Sequence, residues 1–148
     1  MSEMDVKIHG PKVFVYGTLK RGHGNHRLLR GGKQLGRCYV EGPWRMKNLG
    51  YFPGVVQAKD AADPAKMFGE VYLIDTDTLA GLDLLEGYPN FYTRTKVATP
   101  WGNAWMYYLN PDSHYYESDS ALPELELGCW NPTAEERDWA RSIINSGG

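Results

Sequence analysis

Glu86 stands where a carboxylate is costly. Residues 75–85 read as a helix: Asp75 or Thr76 can cap it, Leu79, Leu82 and Leu85 form an apolar stripe, and Gly87 can end it. At about 100° per residue, Glu86 falls between Leu82 and Leu79 within the apolar arc, and Asp83 falls at its border. A core-facing carboxylate is unfavourable unless it is paired or protonated. Glu86 also lies in the last turn, where backbone carbonyls present partial negative charge. Both effects disfavour the anion and raise the pKa. A general base working near neutral pH benefits from that shift. A structural carboxylate paired with a neighbour such as Arg94 fits the same pattern.

The second candidate is Tyr16-Gly17-Thr18-Leu19, where a buried strand breaks into a loop. Glycine lets backbone N–H groups turn towards a ligand. Such groups bind a carboxylate or a developing oxyanion. A plain turn at a strand end fits these four residues equally well.

Other reactive residue types make weaker patterns. His23 and His26 have loose spacing and no second pair, so a solvated polar loop is expected and no metal site. Lys20, Arg21, Arg27 and Arg30 form a local basic patch, but Gly22 and Gly24 precede no Gly-Lys-Ser/Thr, so the phosphate-loop pattern fails. Cys38 and Cys129 show no metal-ligand spacing and no histidine partner nearby, and both are read as reduced thiols of a cytoplasmic protein. The aromatic run from Trp105 to Tyr108 is expected to pack a sheet rather than stack bases.

The elements that must position these groups are mostly strands. Ten tyrosines, five tryptophans and four phenylalanines favour β structure, and 17 glycines with nine prolines call for many turns. Residues 12–17 and 67–74 read as buried strands, and residues 34–46 as a strand bent or broken around Gly36 and Gly42-Pro43. Residues 51–54 read as a turn and 55–58 as a short strand. Residues 91–99 and 103–109 form a hairpin around Pro100-Trp101-Gly102. One or two helical turns are expected over 25–30, and a terminal helix over 133–144 with a capping box from Thr133 to Glu136. This order predicts an α+β fold around a curled mixed sheet, not a doubly wound one.

The 148 residues suit a single domain able to bury its own core. A net charge of −2 argues against a nucleic-acid partner. Residues 1–12 carry charges of both signs and do not resemble a signal peptide. No apolar run approaches the roughly 20 residues needed to cross a bilayer, so no membrane association is expected.

Taken in order, several segments resemble the gamma-glutamylcyclotransferase-like superfamily. They are Val13-Phe14-Val15-Tyr16-Gly17-Thr18-Leu19-Lys20, then Asn25-His26, Phe52-Pro53-Gly54-Val55-Val56 and Gly69-Glu70-Val71-Tyr72. Leu82-Asp83-Leu84-Leu85-Glu86-Gly87-Tyr88-Pro89 and Phe91-Tyr92-Thr93-Arg94 follow. The likeness is greatest to the gamma-glutamylamine cyclotransferase branch. It covers residues 12–110 and leaves 111–148, with Trp130 and Trp139, as an unmatched extension.

The resemblance implies a mixed, curled β-barrel with short flanking helices. It implies Glu86 as the acid/base and the backbone of Tyr16, Gly17, Thr18 and Leu19 as the pocket lining. Tyr92 and Tyr108 join as pocket candidates, because strand aromatics with a hydroxyl both pack and bind polar groups. The implied reaction cyclises a gamma-glutamyl amine or amide to 5-oxoproline without a metal or organic cofactor. The partner is then a small-molecule gamma-glutamyl substrate. Removal of a gamma-glutamyl protecting group from a biosynthetic intermediate is one alternative. A non-catalytic small-molecule binding module is another.

Overall fold

The computed structural model describes residues 10–17, 29, 31–48, 53–57, 65–111, 125, 130 and 133–146. Seven strands and two helices lie among them. The strands are β1 (Lys12–Val15), β2 (Lys33–Gly42), β3 (Trp44–Asn48), β4 (Pro53–Gln57), β5 (Ala65–Leu73), β6 (Tyr92–Thr99) and β7 (Gly102–Leu109). The helices are α1 (Thr76–Glu86) and α2 (Ala134–Ser146).

Five strands form one sheet in the order β2-β5-β1-β7-β6. The central β1 runs antiparallel to β5 and parallel to β7. Both faces of this central region are covered, which explains why β1 and β5 are near-continuous apolar runs. On one face Phe14, Met67, Val71 and Met106 pack against Trp44, Met46 and Val55 of the β3–β4 pair. On the other face Val13, Val15, Tyr72, Tyr107 and Leu109 pack beneath Leu82 of α1. Phe68 of β5, on the same face as Tyr72, packs against Trp139 and Ala140 of α2.

The α+β class and the mixed sheet agree with expectation. The barrel does not close among the described residues. Among the described strands, β3 and β4 pair with each other as a two-stranded ribbon, and the Met46 carbonyl of β3 also accepts from the Leu125 N–H at 2.8 Å. The break falls at Pro43, which has no N–H to continue the ladder of β2. Curling is visible at Gly36, in a register shift of β2, where a Cβ would lie 2.7 Å from the Trp101 ring. The indole therefore needs a glycine beneath it to bring the β6–β7 hairpin against β2.

Helix α1 begins as the sequence suggests: the Asp75 carboxylate accepts a 2.7 Å bond from the Thr78 N–H. It ends with Gly87 at φ 65°, where the N–H groups of Gly87 and Tyr88 satisfy the carbonyls of Leu84 and Asp83. The apolar stripe is rotated from the expected one. Leu82 is fully buried and Leu79 partly so, but Leu85 is 44% exposed and Leu84 84% exposed. The buried arc has turned towards Asp83, which binds side chains of β6 and β7, and this carries Leu85 out of the core.

The capping box of α2 is formed in both directions, Thr133 N–H to Glu136 and Glu136 N–H to Thr133, at 3.1 Å each. Strand β4 starts two residues before the expected position, at Pro53. Of the helical turns expected over 25–30, only Leu29 is described. Neither helix is long and apolar enough to cross a membrane.

Candidate active site

Glu86 is the last residue of α1, held against the sheet by the burial of Leu82 one turn earlier. Its side chain is partly buried, and burial pushes its pKa from 4.5 up to about 7. Three phenols feel its charge: Tyr16 beyond β1, Tyr92 at the start of β6 and Tyr107 on β7. Burial, reinforced by that charge, keeps all three protonated well above the usual tyrosine range, so they act as hydrogen-bond donors.

Each phenol is fixed by a partner. Tyr16 donates to the Tyr107 carbonyl at 2.8 Å and accepts from the Val55 N–H. Tyr92 donates to the Pro53 carbonyl at 2.6 Å. The Pro53 ring in turn lies against Gly17, where a Cβ would come within 2.9 Å of it. A side chain at 17 would push the β1 exit and the β4 entry apart. Glycine is required here for close approach, in addition to any freedom it gives the loop.

Arg94 does not neutralise Glu86. Its guanidinium makes two bonds to Asp83, Nε to Oδ1 at 2.9 Å and Nη2 to Oδ2 at 3.2 Å. The Tyr107 hydroxyl donates to the same Asp83 Oδ1 at 2.6 Å. The helix thus presents two carboxylates to the sheet. One is fully engaged, and the other has no cation against it among the described residues.

Tyr16, Gly17, Tyr92 and Glu86 are thus brought to one place. Tyr108 is on the opposite face of β7 from Tyr107, with its ring 5.2 Å from that of Trp44. Thr18 and Leu19 lie outside the described residues, as do His23, His26 and Cys129. Cys38 is a buried free thiol whose pKa burial pushes up to about 11, a poor nucleophile. Among the described residues no group of His, Cys, Asp or Glu is arranged to hold a metal. Sequence reasoning missed Tyr107. The signal was the alternation of β7, which puts Tyr107 and Tyr108 on opposite faces, but only the sheet register shows which one faces Glu86.

Residues 13–132 match the family model described as "Gamma-glutamyl cyclotransferase, AIG2-like". The chain belongs to this family. A Vibrio cholerae protein, provisionally named a gamma-glutamylcyclotransferase, is 42% identical over 118 residues, spanning 80% of this chain and 93% of that one. The gamma-glutamylcyclotransferase family protein YtfP of Escherichia coli is 34% identical over 119 residues, spanning 80% of this chain and 95% of its own. The solution structure of the Escherichia coli protein superposes with a TM-score of 0.61 at 32% identity, covering 86% of this chain and 98% of that one. An AIG2-like protein from mouse gives 0.62 at 25% identity, covering 85% and 98%. The family match runs beyond residue 110, where the sequence resemblance stopped, and helix α2 lies after it.

Proposed function

We propose that the chain is a gamma-glutamyl cyclotransferase that acts on gamma-glutamyl amines or amides and uses Glu86 as its acid–base group. The observation that carries this reading is Glu86 itself: a partly buried carboxylate with its pKa raised to about 7 and no cation against it among the described residues, while Arg94 binds Asp83. A carboxylate so poised can take a proton and return it at neutral pH.

The substrate brings its own nucleophile. Its alpha-amine attacks the gamma-carbonyl carbon, the new C–N bond closes a five-membered lactam, and the gamma-amide C–N bond breaks. Glu86 accepts the proton that the amine must lose and gives one to the departing nitrogen. The products are 5-oxoproline and the free amine. Because the reaction is intramolecular, the protein has only to hold one molecule in its reactive shape. In this reading the Gly17–Leu19 backbone N–H groups hold the substrate carboxylate or the tetrahedral oxyanion. The Tyr16 and Tyr92 rings form the pocket wall, with their hydroxyls tied to the backbone. Tyr108, on the far face of β7, would act through the packing of that strand.

The test is incubation with gamma-glutamyl-lysine, other gamma-glutamyl amines, gamma-glutamyl dipeptides and glutathione, reading 5-oxoproline. Glu86→Gln is expected to lower turnover by roughly 10²–10⁴-fold with the fold intact. Thr18→Ala is expected to be milder, because the role falls on its backbone. Wild-type protein that binds these compounds without releasing 5-oxoproline would be a binding module instead.

A further inference from the structure

We propose that Asp83 is a positioning residue of this site: it holds the Arg94 guanidinium one helical turn away from Glu86 and so keeps the base unpaired. The inference rests on the reading of Glu86 as the acid–base group.

Asp83 and Glu86 are three residues apart, neighbours on one face of α1 separated by about 4.5 Å of rise. Tyr92 and Arg94 alternate on one face of β6, roughly 7 Å apart along the strand. Two helix carboxylates therefore stand over a strand that offers one cation. An arginine side chain is long enough to serve either. An opposite charge within about 4–6 Å lowers a carboxyl pKa by roughly 1–3. That is enough to return Glu86 to the ordinary range, where it is a poor base at neutral pH.

Arg94 is committed to Asp83. Its fork is bidentate on that carboxylate, at 2.9 and 3.2 Å. Its guanidinium also lies over two rings, 4.6 Å from the Tyr88 centroid and 4.3 Å from that of Trp105. The Tyr107 hydroxyl, directly across the β6–β7 ladder from Arg94, binds Asp83 as well. Among the described residues, Tyr16 from the β1 exit, Tyr92 from β6 and Tyr107 from β7 feel the charge of Glu86, Asp83 precedes it by three residues on its own helix, and Arg94 follows Tyr92 by two on the same face of β6. Lys96 is engaged farther along β6, 5.0 Å from the Trp105 ring. Strand β4 contributes no titratable side chain. Among the described residues, Arg94 is thus the cation next along the β6 face from Tyr92, and Asp83 is what holds it.

The experiment follows the Glu86 carboxyl by NMR in protein labelled with 13C-glutamate, assigned by its absence in Glu86→Gln. In Asp83→Ala the titration midpoint is expected to fall by roughly 1–3 as Arg94 turns to Glu86. The kcat is expected to drop about tenfold with little change in KM. Asp83→Ala/Arg94→Ala is expected to restore both, the midpoint returning to about 7. If Asp83→Ala does not fold, Asp83→Asn removes the charge, keeps an acceptor for Tyr107 and is expected to shift the midpoint in the same direction. A midpoint unmoved in the Asp83 variants overturns the proposal, as does a double variant no better than the single one. The midpoint is read without substrate, so a wild type that forms no 5-oxoproline defeats the functional reading and leaves this measurement standing.

Discussion

Helix α2 meets β5 through Phe68, Trp139 and Ala140, whereas α1 meets β6 and β7 through Leu82 together with Asp83 and Glu86. Both helices cover the same sheet face. Under α2 the contact is ring on ring, Phe68 edge-on to Trp139 at 5.2 Å, and the ion pair between Arg37 and Glu135 stays at the exposed rim. Under α1 two carboxylates and the phenols of Tyr92 and Tyr107 are drawn inward. The first arrangement stabilises without offering chemistry. The second holds a carboxylate in surroundings that disfavour its charge, and that penalty is what suits it to the proposed role of a base.

Three experiments break or sharpen this contrast, in descending order of expected effect on stability. Phe68→Ala should cost about 3–5 kcal/mol in urea unfolding, with kcat per folded molecule unchanged. A large fall in kcat at full folding would show that the α2 patch reaches the site. Next is Glu86→Gln, followed by thermal unfolding across pH. The folded-state pKa of Glu86 is raised from 4.5 to about 7, so the penalty is absent below 4.5, grows through that window and is complete above it. Relative to wild type, the glutamine variant should gain about 3 kcal/mol between pH 4 and pH 8. A gap independent of pH would mean that Glu86 is not desolvated. Last, Glu135→Ala should change stability by less than about 1 kcal/mol, since Glu135 is 82% exposed. A loss above 2 kcal/mol would place that rim pair among the true supports of α2.

Local punctuation was readable from the sequence. The caps Asp75 and Gly87, the box from Thr133 to Glu136, the hairpin around Pro100-Trp101-Gly102 and the break at Pro43 each depend on a few adjacent residues. They appear where that chemistry predicts. Quantities set by distant pairing were not readable. The position of Leu85 depended on how α1 rolls over the sheet, and that roll follows from Asp83 binding Arg94 and Tyr107. Which carboxylate Arg94 binds was open for the same reason. Choosing Tyr108 ahead of Tyr107 needed the register of β7. Barrel closure needed to know which strands the β3–β4 ribbon would join. The burial of Glu86 and the strand exit at Gly17 were thus readable from the sequence, and the ion pair beside them was not.

Helix α1 is stopped at both ends, by the Asp75 side chain and by the left-handed Gly87. Glu86 is therefore aimed by residue count as much as by contact. One codon gained or lost between the two stops would swing the carboxyl by about 100°. Insertions and deletions in this stretch should abolish turnover even where the protein still accumulates.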